Sequence, residues 1–179
     1  MIQAVFERIT KHGLTDWAVL LQGVCGIPSL LGRLPASCVE DFANAELEKV
    51  AGNHPLLDVI VSLATDSDLP VSELFPQLQK MSEFQNADMQ RARRIWRAVA
   101  LEELLTNLDS DPLYGLINLS EFWSSWEWPA DAPLSMIPGA VNLPQHQYHS
   151  ASNYEHVVHE HEQWLKDELA ALNCRETST

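Results

Sequence analysis

Positive charge is scarce in this chain. Its 179 residues carry 11 Lys and Arg against 25 Asp and Glu, a formal net charge of −14 with histidine neutral. Phosphate recognition needs a basic surface, so this balance argues against nucleic-acid binding. It also disfavours docking on anionic lipid. Long apolar runs are missing, since none approaches the ~18 residues of a membrane span. Glu7, Arg8 and Lys11 interrupt the N-terminal segment before a signal-peptide core can form. Cysteine is sparse, with Cys25, Cys38 and Cys174 in no CxxC spacing. That excludes a disulfide framework or a zinc motif, and Cys25 and Cys38 read as small buried hydrophobes in a reducing cytoplasm. Enzyme signatures are missing as well: no GxSxG, no P-loop, no GxGxxG, and no Cys with an obvious His partner. The expectation is a cytoplasmic protein that is not an enzyme and holds no cofactor.

Apolar residues make up 46% of the chain, enough to exclude wholesale disorder, and the length fits a single domain over 1–179. Their spacing is helical. Ile2, Val5, Phe6 and Ile9 share one helix face, and His12-Gly13 stops it. Thr15-Asp16 caps a helix over Trp17–Val24. Ser37 and Glu40 have capping-box spacing for a helix from Ser37 to Ala51. Pro55 opens the next, with Asn53 or His54 capping. Another follows Val71-Ser72-Glu73, buries Leu74, Phe75 and Leu78, and holds Pro76 in its first turn. The clearest stripe runs from Asp88 to Leu108 with no Gly or Pro. Asp111 then caps, and Pro112 begins, a helix that fails near Trp128-Pro129. Residues 129–150 form a long Pro-rich loop, of a length that tends to be functional. A last helix runs from Ser152 or Asn153 to about Leu172. No strand pattern or internal repeat competes. The fold class is all-α: one irregular bundle of about seven or eight helices.

Three constellations stand out. Five histidines lie late, His146, His149, His156, His159 and His161, among Glu155, Glu160 and Glu162. His156 and His159 share a helix face with Glu160, a spacing that zinc or nickel accepts, but no HExxH is present. The polar outer face of an amphipathic helix is the better reading, so no metal residues are assigned. Arg91, Arg93, Arg94 and Arg97 lie within seven positions. In so acidic a chain, neutralisation of internal carboxylates is favoured over an anion clamp. Most informative is a gap: from Ala98 to Leu165 there is no Lys or Arg, against ten carboxylates. The same stretch holds Trp123, Trp126, Trp128, Tyr114, Phe122, Tyr148 and Tyr154. Acids that steer encounter and aromatics that anchor it suit a basic protein partner. The expected partner-binding residues are Asp109, Asp111, Glu121, Trp126, Glu127, Trp128, Asp131, Tyr148 and Tyr154, with Trp126 and Trp128 as the exposed pair.

Several segments resemble a known family. They are Gly13-Leu-Thr-Asp-Trp-Ala-Val-Leu-Leu-Gln-Gly23, Arg94-Ile-Trp-Arg-Ala-Val-Ala-Leu-Glu-Glu-Leu-Leu105, Asp111-Pro-Leu-Tyr-Gly-Leu116, Glu121-Phe-Trp123 and Trp128-Pro-Ala-Asp131. Together they are similar to the small helical bacterial proteins catalogued as domain of unknown function 2247, over nearly the whole chain. The resemblance implies a small cytoplasmic accessory protein of the kind that serves as the immunity partner of a secreted toxin, and it carries no catalytic residues. The expected function is therefore neutralisation of a basic toxin through the acidic, aromatic-bearing surface. An adaptor for an endogenous partner, and a metal-dependent enzyme built on His149, His156, His159 and Glu160, are the alternatives. Homo-oligomerisation stays open.

Overall fold

The computed structural model describes residues 1–66, 68–137, 139 and 143–174, with backbone alone at 145 and 146. Residues 138 and 140–142 of the expected 129–150 loop lie outside the described residues. The fold is all-α, and no strand occurs among the described residues. The helices are α1 (Ile2–Lys11), α2 (Trp17–Cys25), α3 (Ala36–Leu47), α4 (Leu57–Thr65), α5 (Val71–Phe84), α6 (Met89–Thr106), α7 (Pro112–Ser125), α8 (Gln145–Tyr148) and α9 (Ala151–Asn173). The chain divides into two compact units, Met1–Trp96 and Arg97–Thr179, with the boundary inside α6.

The first unit is built on apolar periodicity. Ile2, Val5, Phe6 and Ile9 form the buried face of α1. Gly13, at φ +71°, supplies the left-handed residue that ends the helical run. Asp16 caps α2 by accepting the Val19 N–H at 2.8 Å. Apart from Gln22, residues Trp17 to Val24 are buried, as a helix apolar on all sides must be. The Trp96 indole N–H donates to the Val19 carbonyl at 2.9 Å. A Cβ at Gly23 would lie 2.8 Å from the Trp96 ring and 3.1 Å from Leu34, so the close packing there needs a glycine. Helix α3 packs on α4, and α2 on α5.

Several local expectations are corrected in this unit. Pro35 takes the cap position of α3 in extended conformation, so Ser37 and Glu40 lie inside the helix and no capping box forms. The helix also ends at Leu47, four residues before Ala51. Helix α5 starts at Val71, directly after Pro70, so Pro76 falls in its interior rather than its first turn. There it withholds the hydrogen bond its N–H would have made to Ser72. The buried face of α5 is Leu74, Leu78, Met81 and Ser82, which leaves Phe75 exposed at its edge. Cys38 is buried as expected, but Cys25, at the last position of α2, is exposed.

In the second unit, Asp111 caps α7 through the N–H groups of Leu113 and Tyr114, at 2.9 and 3.4 Å, and Pro112 takes the first helical position. The Ser150 hydroxyl caps α9 by accepting the Asn153 N–H. Helix α7 packs on α9. The ring of Tyr154 lies where a Cβ at Gly115 would come within 2.5 Å, so only glycine admits it. The expected loop is partly built. Leu134–Met136 forms a 3-10 turn, and α8 follows. The N–H groups of Leu134 and Ser135 donate to the Glu160 carboxylate, at 3.0 and 3.3 Å.

Candidate partner-binding surface

The N-terminal end of α7 is acidic because its cap is. Asp109 accepts the Asp111 N–H at 2.9 Å, shaping the turn that lets Asp111 cap the helix. Both aspartates are exposed. One turn on, Leu113, Tyr114 and Ile117 are exposed, Tyr114 to 57%. Spacings of three and four bring them together, and Glu121, also exposed, continues the same face. The result is an apolar stripe with a carboxylate at either end. Leu113 and Ile117 are not among the partner-binding residues expected from the sequence. The signal that finds them is circumferential: Leu113, Tyr114, Leu116, Ile117, Leu119, Phe122 and Trp123 surround the helix, so one side must face water.

The other expected residues divide into exposed and committed groups. Trp126 is not an exposed anchor: only 3% of it is accessible, and it lies beside the ring of Phe122. The cause is a tight reversal after α7. Glu127 and Trp128 both adopt positive φ, +63° and +49°. Their N–H groups fold back to the carbonyls of Ser124 and Trp123, both at 3.0 Å. That turn tucks Trp126 under the helix, leaving Trp128 half-buried and Glu127 exposed. Asp131 pairs with Arg97 at 2.5 Å, and its carbonyl accepts the Trp164 indole N–H. Tyr148 is half-buried, edge-on to His149. Tyr154 donates its hydroxyl to the Asp109 carbonyl, and burial, then the Asp109 charge, push its phenol up.

A family model for uncharacterized proteins conserved in bacteria, domain of unknown function 2247, matches residues 6–169. The chain belongs to that family. No curated protein and no solved structure matches it. The matched span contains every residue of the candidate surface in this family member.

Among the described basic and imidazole side chains, Arg97 and His161 are the buried ones. Arg91 pairs with Asp16 at 3.3 Å in the first unit. Arg97 is buried, with Asp131 at 2.5 Å and Glu168 at 3.7 Å, and its guanidinium lies over the rings of Trp123 and Trp164. Internal neutralisation therefore holds for Arg91 and Arg97. His161 departs from the expected polar outer face, because it is fully buried. Its Nε2 accepts the Trp123 indole N–H at 2.8 Å, and its Nδ1 faces the Val157 carbonyl at 2.7 Å. One neutral tautomer serves both bonds, with the proton on Nδ1. Burial pushes its pKa down, against the opposing pull of the Val157 hydrogen bond and the Glu160 charge. His156 and His159 are exposed, and Glu160 is held by the 3-10 turn. Among the described residues no three His, Cys, Asp or Glu side chains converge as metal ligands. The side chain of His146 lies outside the described residues.

Proposed function

We propose that this family member is a cytoplasmic immunity-type protein that neutralises a basic bacterial toxin by direct association. The observation that carries this reading is the α7 face. Leu113, Tyr114 and Ile117 are exposed between Asp109 and Asp111 at one end and Glu121 at the other. They lie within a stretch of the chain that has no Lys or Arg. Carboxylates accelerate and orient encounter with a positive surface, and apolar side chains at the centre of the patch slow dissociation. A toxin that acts on nucleic acid must carry a positive cleft, and covering that cleft is sufficient inhibition. Of the residues read from the sequence, Asp109, Asp111, Glu121 and Glu127 remain as rim charges, with Trp128 beside them. Trp126 is buried, Asp131 is committed to Arg97, and Tyr154 braces the Asp109 turn from α9. No described helix is long and apolar enough to cross a membrane.

The test is capture from native lysate followed by measured affinity for the captured protein. The expected partner is basic, is released as salt rises, and arrests growth when expressed without this chain. Tyr114→Ala combined with Ile117→Ala should weaken the complex by about tenfold or more. An acidic partner, or an affinity untouched by that double change, defeats the assignment. A basic partner harmless to cells moves the function to an adaptor for an endogenous protein.

A further inference from the structure

A furrow runs between the second half of α6 and α9, within the second unit. It consists of two hollows of about 390 and about 310 Å3, open to solvent, that share Leu105 and Glu162 in their walls. Its floor is apolar: Leu105, Leu108, Val158, Leu165 and Leu169 are all half-buried. On α9, the residues Glu155, Val158, Glu162, Leu165 and Leu169 recur at three and four. That is the spacing of a helix side built to receive another helix, knobs into holes. The stripe extends for about 21 Å at 1.5 Å per residue, or about four helical turns. Glu102, Glu155 and Glu162 border the furrow, while Lys166 borders only the hollow that contains Leu165 and Leu169.

We propose that this furrow seats an amphipathic helix of the protein partner, with Lys or Arg flanking its apolar stripe and concentrated at the end that meets Glu155. This rests on the reading of the chain as a binder of a basic protein. An extended peptide gains little here, because the walls are helices whose backbone groups are already bonded and offer no strand edge. A second copy of this chain would bring its own Glu155 and Glu162 against these, like charge on like. Anionic lipid meets the same repulsion.

The probe is a fluorescein-labelled synthetic helix of about 18 residues, with Leu at three-four spacing and Lys on its flanks. Fluorescence anisotropy with the full chain should show saturable binding, and a Leu/Glu peptide of the same pattern should not bind. Leu105→Gln and Val158→Gln should each weaken binding by about tenfold. Glu162 is exposed, so Glu162→Lys tests the furrow without disturbing the core, and it should do the same. Glu7→Lys makes an equal charge change on the first unit and should leave binding within about twofold. Equal losses from Glu162→Lys and Glu7→Lys would mean diffuse attraction and overturn the proposal, as would no binding. A captured basic toxin whose affinity ignores Leu105, Val158 and Glu162 would also overturn it while leaving the immunity reading intact. Peptide seated in the furrow, with no basic protein partner in the cell, would do the reverse.

Discussion

The interior of the first unit is almost wholly apolar: Trp17, Leu20, Leu78, Ile95 and Trp96 are fully buried, and Ser82 is the one polar side chain among its described buried residues. The second unit buries Arg97, His161 and Glu168. Both units bury tryptophan, but they satisfy its N–H differently. Trp96 donates to a backbone carbonyl, and Trp123 donates to a histidine. An apolar interior tolerates small shifts at modest cost. A polar one is stable only while every partner stays in place and in the right protonation state. The second unit therefore carries the sharper dependence on single residues and on pH, and it also carries the candidate binding surface.

Removing one arginine from each unit tests this contrast most severely. Arg97→Ala removes the buried cation beside Glu168 and Asp131 and the guanidinium that lies over the Trp123 and Trp164 rings. Urea unfolding should show a loss of about 3 kcal/mol or more. Arg91→Ala removes a partly buried partner of Asp16 but leaves that carboxylate in reach of water, so it should cost less, about 1 kcal/mol. Similar losses would erase the distinction between the units.

Acid comes next. The pKa of His161 is lower folded than unfolded, so below the ordinary histidine value the unfolded chain takes up the proton first. Stability is then fully present above about pH 6.5 and falls as pH drops toward the folded value, by up to about 1.4 kcal/mol per pH unit. Protonation would also set an Nε2–H against the Trp123 N–H. Unfolding followed by tryptophan fluorescence between pH 7.5 and 5.5 should show this decline, and His161→Gln should flatten it. An unchanged slope in the variant would place the acid sensitivity elsewhere.

The helix caps come last. Asp111→Ala should cost about 1 kcal/mol, since it frees two N–H groups at the start of α7. Asp16→Ala should cost slightly more, because that residue both caps α2 and pairs with Arg91. Thermal melts of the two variants would order them.

The features that sequence reading placed well are those governed by neighbours in the chain. Asp111-Pro112, Asp16 and the stop at Gly13 act within one helical turn, so local chemistry suffices to find them. The resemblance carried by the Trp, Leu and Gly segments also led to the right family. Ser37 failed as a cap because Pro35 reached that position first, and two local signals in competition look alike on paper. Phe75 and Pro76 were misplaced because α5 begins three residues earlier than its hydrophobic pattern implies. Trp126 depends on an unusual turn of positive φ, and His161 and Arg97 depend on partners far along the chain. A tryptophan at a helix end and a histidine among glutamates carry no mark of burial until the turn at Glu127–Trp128 and the packing of α7 on α9 exist. The exposed stripe of α7 was within reach, since a helix ringed by apolar residues cannot bury them all.

The fit of Tyr154 against Gly115 has a further consequence. Two smooth helices can slide along each other in small steps, and each step would carry every side chain downstream by the same distance. A ring seated in a notch works as an indexing pin. Because α9 is one continuous rod, fixing its position at Tyr154 also sets how far Glu162, Leu165 and Leu169 stand from Gly115. A glycine with no chemistry of its own thereby sets the registration of a surface several turns away.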